Sequence, residues 1–173
     1  MVRRSRHLRA VACALTLCLA PLAAGAADLI ETALESKQSG RYKIDHFGIA
    51  LETAGLEPGS YTVFAPTNQV FRRLDLGAMK PGGPAMSPEE RIRAADKDLL
   101  LDVVEAHIVE GALPYSELAA EETVTTLGGT TLEITRTEGG VLVGEVTITK
   151  PDLTADDGVI HVIDGLLAGG RQR

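Results

Sequence analysis

The chain has no tryptophan, three phenylalanines, three tyrosines, two cysteines and a single asparagine. Each scarcity closes a route. A sugar-stacking platform or a single-strand nucleic-acid surface needs exposed aromatic faces, and six rings that mostly fall at expected core positions do not supply one. Asn68 is followed by Gln69 and Val70, so there is no N-glycosylation acceptor. Cys13 and Cys18 both lie in the first 26 residues, which leaves the rest without a thiol for disulfides or cysteine catalysis. There is no Gly-x-Ser-x-Gly nucleophile elbow, and no glycine cluster is followed by the Lys-Ser/Thr that a phosphate-binding loop requires.

The N-terminus is short of acid. Arg3, Arg4, Arg6 and Arg9 precede an apolar run over residues 10–22, and Ala24-Gly25-Ala26 follows. This is the order of a cleavable secretory signal over residues 1–26. Thirteen apolar residues are too few for a bilayer core that needs about 20, and no later segment reads as a span. A secreted or periplasmic location follows as the expectation. Without that segment, 13 basic residues face 24 acidic ones, a net charge of −11 over 147 residues. Such a surface repels nucleic acid and anionic lipid; a protein partner should be basic or bridged by a divalent cation.

The remainder reads as one domain over residues 27–168 with a polar tail, 169–173. Helical stripes fall over residues 28 to about 37 with Asp28 as cap, over 45–54 ending at Gly55, and over about 97–108. Residues 77–88 hold three prolines and three glycines and read as an exposed loop. They run into Ser87-Pro88-Glu89-Glu90, an N-cap serine with a capping-box glutamate. Strands follow: Leu132 and Ile134 alternate with Thr131, Glu133 and Thr135, then come Val141 and Val143, then Val146 and Ile148. The run from Val159 to Ile163 is apolar on both faces, as a covered central strand would be. Helices first and antiparallel strands later predict an α+β domain.

Three segments stand out together. Tyr61-Thr-Val-Phe-Ala-Pro-Thr-Asn-Gln-Val-Phe71 resembles the first signature of fasciclin domains, and Val159-Ile-His-Val-Ile-Asp-Gly-Leu-Leu167 resembles the second. Between them, Leu101 to Gly111 is similar to the family's histidine-bearing helix end. The resemblance implies a wedge of two β-sheets with helices packed at one end. It also implies a non-catalytic, cofactor-free module of extracellular adhesion or matrix interaction. The 77–88 loop is richer in proline than the pattern, Val143-Gly144 stands where Asn-Gly is common, and Asp157 replaces an asparagine before Gly158.

Most signature residues have a structural reading. Pro66 ends a strand, Thr67 and Asn68 offer oxygens to free helix N–H groups, and Phe71 returns to the core. Gly158 would supply a positive φ before the central strand; Asp164 closes that strand. His107, on an apolar stripe, and His161, in an apolar strand, are expected to be neutral and hydrogen-bonded. With His46 they lack metal-ligand spacing, so no metal site is expected. Leu153 and Ala155 interrupt the acidic residues 152–157 where a calcium loop needs oxygen ligands. One functional candidate remains. Asp152 and Leu153 occupy a position similar to the receptor-binding Asp-Ile-type motifs of animal fasciclin domains, against the plainer reading that Pro151 and Asp152 make a turn and Leu153 packs inward.

The reading is therefore an adhesion or interaction module whose partner is a protein, a matrix or cell surface, or a second copy of the chain. A soluble carrier of an apolar, pigment-like molecule is the alternative, and a hydrolase the last choice.

Overall fold

The computed structural model describes residues 25–36, 42–57, 59–74 and 85–167. Nearly all of the expected signal, residues 77–84 of the loop and the polar tail lie outside the described residues.

The first helix, α1 (Gly25–Glu35), begins three residues before Asp28, which therefore lies within the helix and not at its N-cap position. Leu29 and Ala33 are buried from this helix. The Ser36 hydroxyl donates to Ala33 O at 2.6 Å and accepts from Ile44 N at 3.1 Å, a buried clasp to the next segment. There α2 (Asp45–Ala54) ends at Gly55, whose φ of 79° needs glycine's freedom and whose N–H closes on Leu51 O.

The chain then forms β1 (Tyr61–Pro66), the single turn α3 (Asn68–Phe71), α4 (Pro88–Arg93) and α5 (Lys97–Glu105). The expected capping box holds α4: Ser87 Oγ accepts from Glu90 N, and Glu90 Oε2 accepts from Ser87 N at 2.8 Å. Asp96 caps α5. This helix stops earlier than its apolar stripe suggests, because Ile108–Glu110 becomes β2 and pairs antiparallel with β1, Tyr61 opposite Glu110. Then come α6 (Tyr115–Leu118), β3 (Thr123–Thr125), β4 (Thr131–Thr137), β5 (Gly140–Val143), β6 (Val146–Ala155) and β7 (Gly158–Ile163). The segments β2, α6 and β3 are three or four residues long, too short for a period to show.

The strands lie in the order β2-β1-β7-β6-β5-β4-β3. Only β1 and β7 run parallel; the other pairs are antiparallel. The two ends of the series almost meet, since Val109 bridges Thr126 and Leu127 N donates to Ile108 O at 2.8 Å. The fold is α+β, a mixed sheet curled into a nearly closed wedge with the long helices outside it.

Every residue of β1 and β7 is buried. Val63, Ala65, Ile160 and Val162 face the helices with Phe47 and Leu51. Phe64 and Ile163 face the wedge interior with Leu118, Leu132 and Val143. This double coverage is what the two-sided apolar run of β7 requires.

Gly158 is a correction. It is not among the glycines with positive φ. A Cβ on it would sit 2.1 Å from Tyr61 O, so glycine is required by the close approach of β1 in the parallel pairing.

Candidate functional site

The first signature acts on a different helix from the one expected. Thr67 occupies the N-cap position of α3 without a side-chain bond. Its carbonyl instead takes the N–H groups of Val70 and Phe71 at 2.9 Å each. Asn68 turns its side chain to α2: Oδ1 accepts from His46 N at 3.1 Å, and Nδ2 donates to Asp45 Oδ1 at 2.7 Å. Its backbone N–H reaches Lys43 O at 2.7 Å. A residue 22 positions downstream thus caps the start of α2. Pro66 ends β1 opposite Ile163, and Phe71 packs edge-on against Phe47 with ring centroids 5.8 Å apart.

The second signature is held by two histidines in opposite tautomers. His107 lies just past α5 and is 1% exposed. Its Nδ1 is 2.7 Å from Val103 O, and Nε2 accepts from Leu167 N at 3.1 Å, so the proton sits on Nδ1. His161 in β7 is fully buried; Nδ1 accepts from Asp152 N at 3.2 Å, and Nε2 therefore donates to Leu113 O at 3.0 Å. Burial lowers the pKa of His107 to about 4 against the weaker upward pull of its bond to Val103. Burial also lowers that of His161, opposed first by the bond to Leu113 and then by the charge of Asp152. Neither ring has a nitrogen left to serve as a general base. Asp164 extends the same strand, its Oδ1 accepting from Thr147 N at 3.1 Å.

The Asp152–Leu153 stretch lies on a bulged part of β6. Its pairing with β7 shifts between Ile148 and Lys150 and again between Lys150 and Leu153, which turns both Lys150 and Asp152 outward. Asp152 is exposed with φ 56°, a left-handed conformation that aspartate tolerates better than most residues. Its Oδ1 accepts from Tyr115 N at 2.8 Å, at the first residue of α6. Asp152 therefore caps a helix from 37 residues away, while half-buried Leu153 packs on the helix-side core. Only Val146 and Thr147 of β6 pair with β5, so from Thr149 onward this edge pairs with no strand among the described residues, and Asp152 links it to α6. Pro151 and the bulges blunt that edge against strand addition.

Two features escape sequence reading. Asp45, His46 and Glu89 come together, one donor atom from each lying within 4.8 Å of the others. Their numbering offers no motif, because the contact is made by the packing of α4 on α2. A cleft of about 350 Å³ opens beside His107, between Val103, Leu74 and Leu167, with Asp102 and Glu105 at its polar side. No described helix is long and apolar enough to cross a membrane.

The sequence has relatives. The Synechocystis protein sll1483 is 34% identical over 109 residues, covering 63% of this chain and 55% of that protein. A second Synechocystis protein, sll1735, is 34% identical over 65% of this chain and 76% of its own length. The pig transforming growth factor-beta-induced protein ig-h3 is 33% identical over 63% of this chain but only 14% of that protein. The chain thus spans about half of the first relative and a small part of the third. Among solved structures, a FAS1 domain pair from the insect cell adhesion molecule fasciclin I is similar with a TM-score of 0.47 at 18% identity, over 84% of this chain and 46% of that one. The fasciclin-domain model matches residues 45–168, from the Asp45 that Asn68 holds to just past the Leu167 that His107 holds, and the chain belongs to the fasciclin-domain family.

Proposed function

We propose that the chain is an exported, non-catalytic adhesion or interaction module that binds a protein or matrix partner through its exposed strand edges and loops. The observation that carries this reading is where the signature residues are used. Asn68, His107, Gly158 and His161 all serve internal contacts, to α2, to Leu167, to β1 and to Leu113. What remains for a partner is the outer surface, and the bulged stretch with Lys150, Asp152 and Thr154 exposed is the proposed contact. The excess of acidic residues favours a basic or cation-bridged partner. Export through the cleavable leader belongs to the same proposal.

The test is cell aggregation and matrix attachment with the gene deleted and restored. Attachment lost and regained with the gene supports the module. Robust turnover in an esterase and glycosidase screen, abolished by mutating a polar cleft residue, overturns it.

The cleft beside His107 favours a second reading, carriage of a small apolar molecule. At about 350 Å³ it lies near the lower end of ligand-pocket sizes. Colour or an extractable ligand on the purified protein distinguishes this reading from adhesion.

A further inference from the structure

Three histidines lie in the described part of the chain, and all three are buried. Two have both ring nitrogens in hydrogen bonds. His46 does not: it is 5% exposed, its Nδ1 is buried without a partner, and its Nε2 stands 3.6 Å from Glu89 Oε1. That separation is an ion-pair distance and too long for a hydrogen bond. A buried imidazole left in this state needs an explanation, because such groups are almost always satisfied.

Its surroundings point to a cation. Asp45, 4% exposed, precedes His46 at the start of α2, and Glu89 approaches from the start of α4. Two carboxylates and an imidazole bring one donor atom each inside 4.8 Å of one another, with Asp45 and His46 buried and Glu89 half-buried. Their supports are already in place. Asn68 Nδ2 holds Asp45 Oδ1 and its Oδ1 holds the His46 backbone, as an outer-shell residue orients metal ligands. The Ser87–Glu90 capping box fixes the turn that carries Glu89.

We propose that Asp45, His46 and Glu89 form a binding site for a divalent transition-metal ion of the zinc class. Mixed nitrogen and oxygen donors suit zinc and its neighbours better than calcium or magnesium, which take oxygen alone. Three protein ligands leave a position open for water or for a donor from a partner. The Glu89 side chain, 38% exposed, lies on the solvent side of the group.

The tag-free chain, stripped with a chelator, is titrated calorimetrically with Zn²⁺ alone, and then with Co²⁺ while visible absorption is followed. The site predicts a single equivalent of Zn²⁺ and the visible bands of low-coordinate Co²⁺. Glu89→Gln, at a half-buried position, should weaken uptake by roughly tenfold or more while leaving the circular dichroism spectrum unchanged. His46→Ala should remove uptake. Absence of stoichiometric uptake by the parent chain overturns the proposal, and so does uptake undiminished in a folded Glu89→Gln variant, which would move the metal elsewhere. Neither result bears on the adhesion reading, which attachment assays test separately.

Discussion

Leu167 donates its backbone N–H to His107 Nε2 at 3.1 Å, joining residues 60 positions apart. With Val103 O on the other nitrogen, the ring ties the end of α5 to the segment after β7. His107→Ala orphans both backbone groups and leaves a cavity. It should cost about 1–3 kcal/mol, read as a lower denaturation midpoint with an unchanged denaturant slope. Partner binding by the folded fraction should persist.

The same histidine makes stability depend on pH. Its folded pKa is lowered from 6.5 to about 4, so between those values the unfolded chain holds the proton and the folded chain does not. The stabilisation is present in full above about pH 6.5 and is lost as pH falls toward 4. The loss is on the order of 3 kcal/mol, and the lowered pKa of His161 acts in the same direction. Melting temperatures measured across this window should fall, and should fall less steeply in His107→Ala.

Asp152 separates a capping role from a contact role. Asn keeps both the acceptor for Tyr115 N and tolerance of φ 56°, so Asp152→Asn should hold stability within about 0.5 kcal/mol. Asp152→Ala loses the cap and should cost about 1 kcal/mol. If the carboxylate also contacts a partner, attachment falls in the stable Asn variant. Undiminished attachment there removes Asp152 from the contact surface.

Gly158→Ala should be the most damaging single methyl. Its Cβ would meet Tyr61 O at 2.1 Å, where backbone must move and the parallel pairing must open. A loss of about 3 kcal/mol or more is expected. Gly55→Ala meets no atom within 4 Å and carries only the strain of φ 79°, about 1 kcal/mol. Urea titrations of the two variants should rank them in that order. Equal losses would show that the β1–β7 approach is softer than it looks.

Asn68→Ala takes the acceptor from His46 N and the donor from Asp45, a carboxylate that is 4% exposed. A loss of about 2–3 kcal/mol follows. Hydrogen exchange should show the first turn of α2 opening more than its last.

Local chemistry was legible in the residues themselves. The double-faced apolar run of β7, the glycine stop at Gly55 and the Ser87–Glu90 capping box each depend on neighbours a few positions away. Sequence spacing records such relations directly, and the two signatures carried the family likeness with them. The contacts of Asn68 with His46, His107 with Leu167, Asp152 with Tyr115 and Gly158 with Tyr61 span 22 to 97 positions. No period or spacing encodes which helix a side chain will cap or which carbonyl will crowd a glycine. His107 and His161 could be read as buried, since apolar surroundings are a local pattern, but their tautomers followed only from the backbone groups that folding placed beside them. The grouping of Asp45, His46 and Glu89 belongs wholly to tertiary structure. Two adjacent residues and a third on another helix become neighbours only when α4 packs on α2, because burial of apolar surface drives that packing and brings the polar groups along with it.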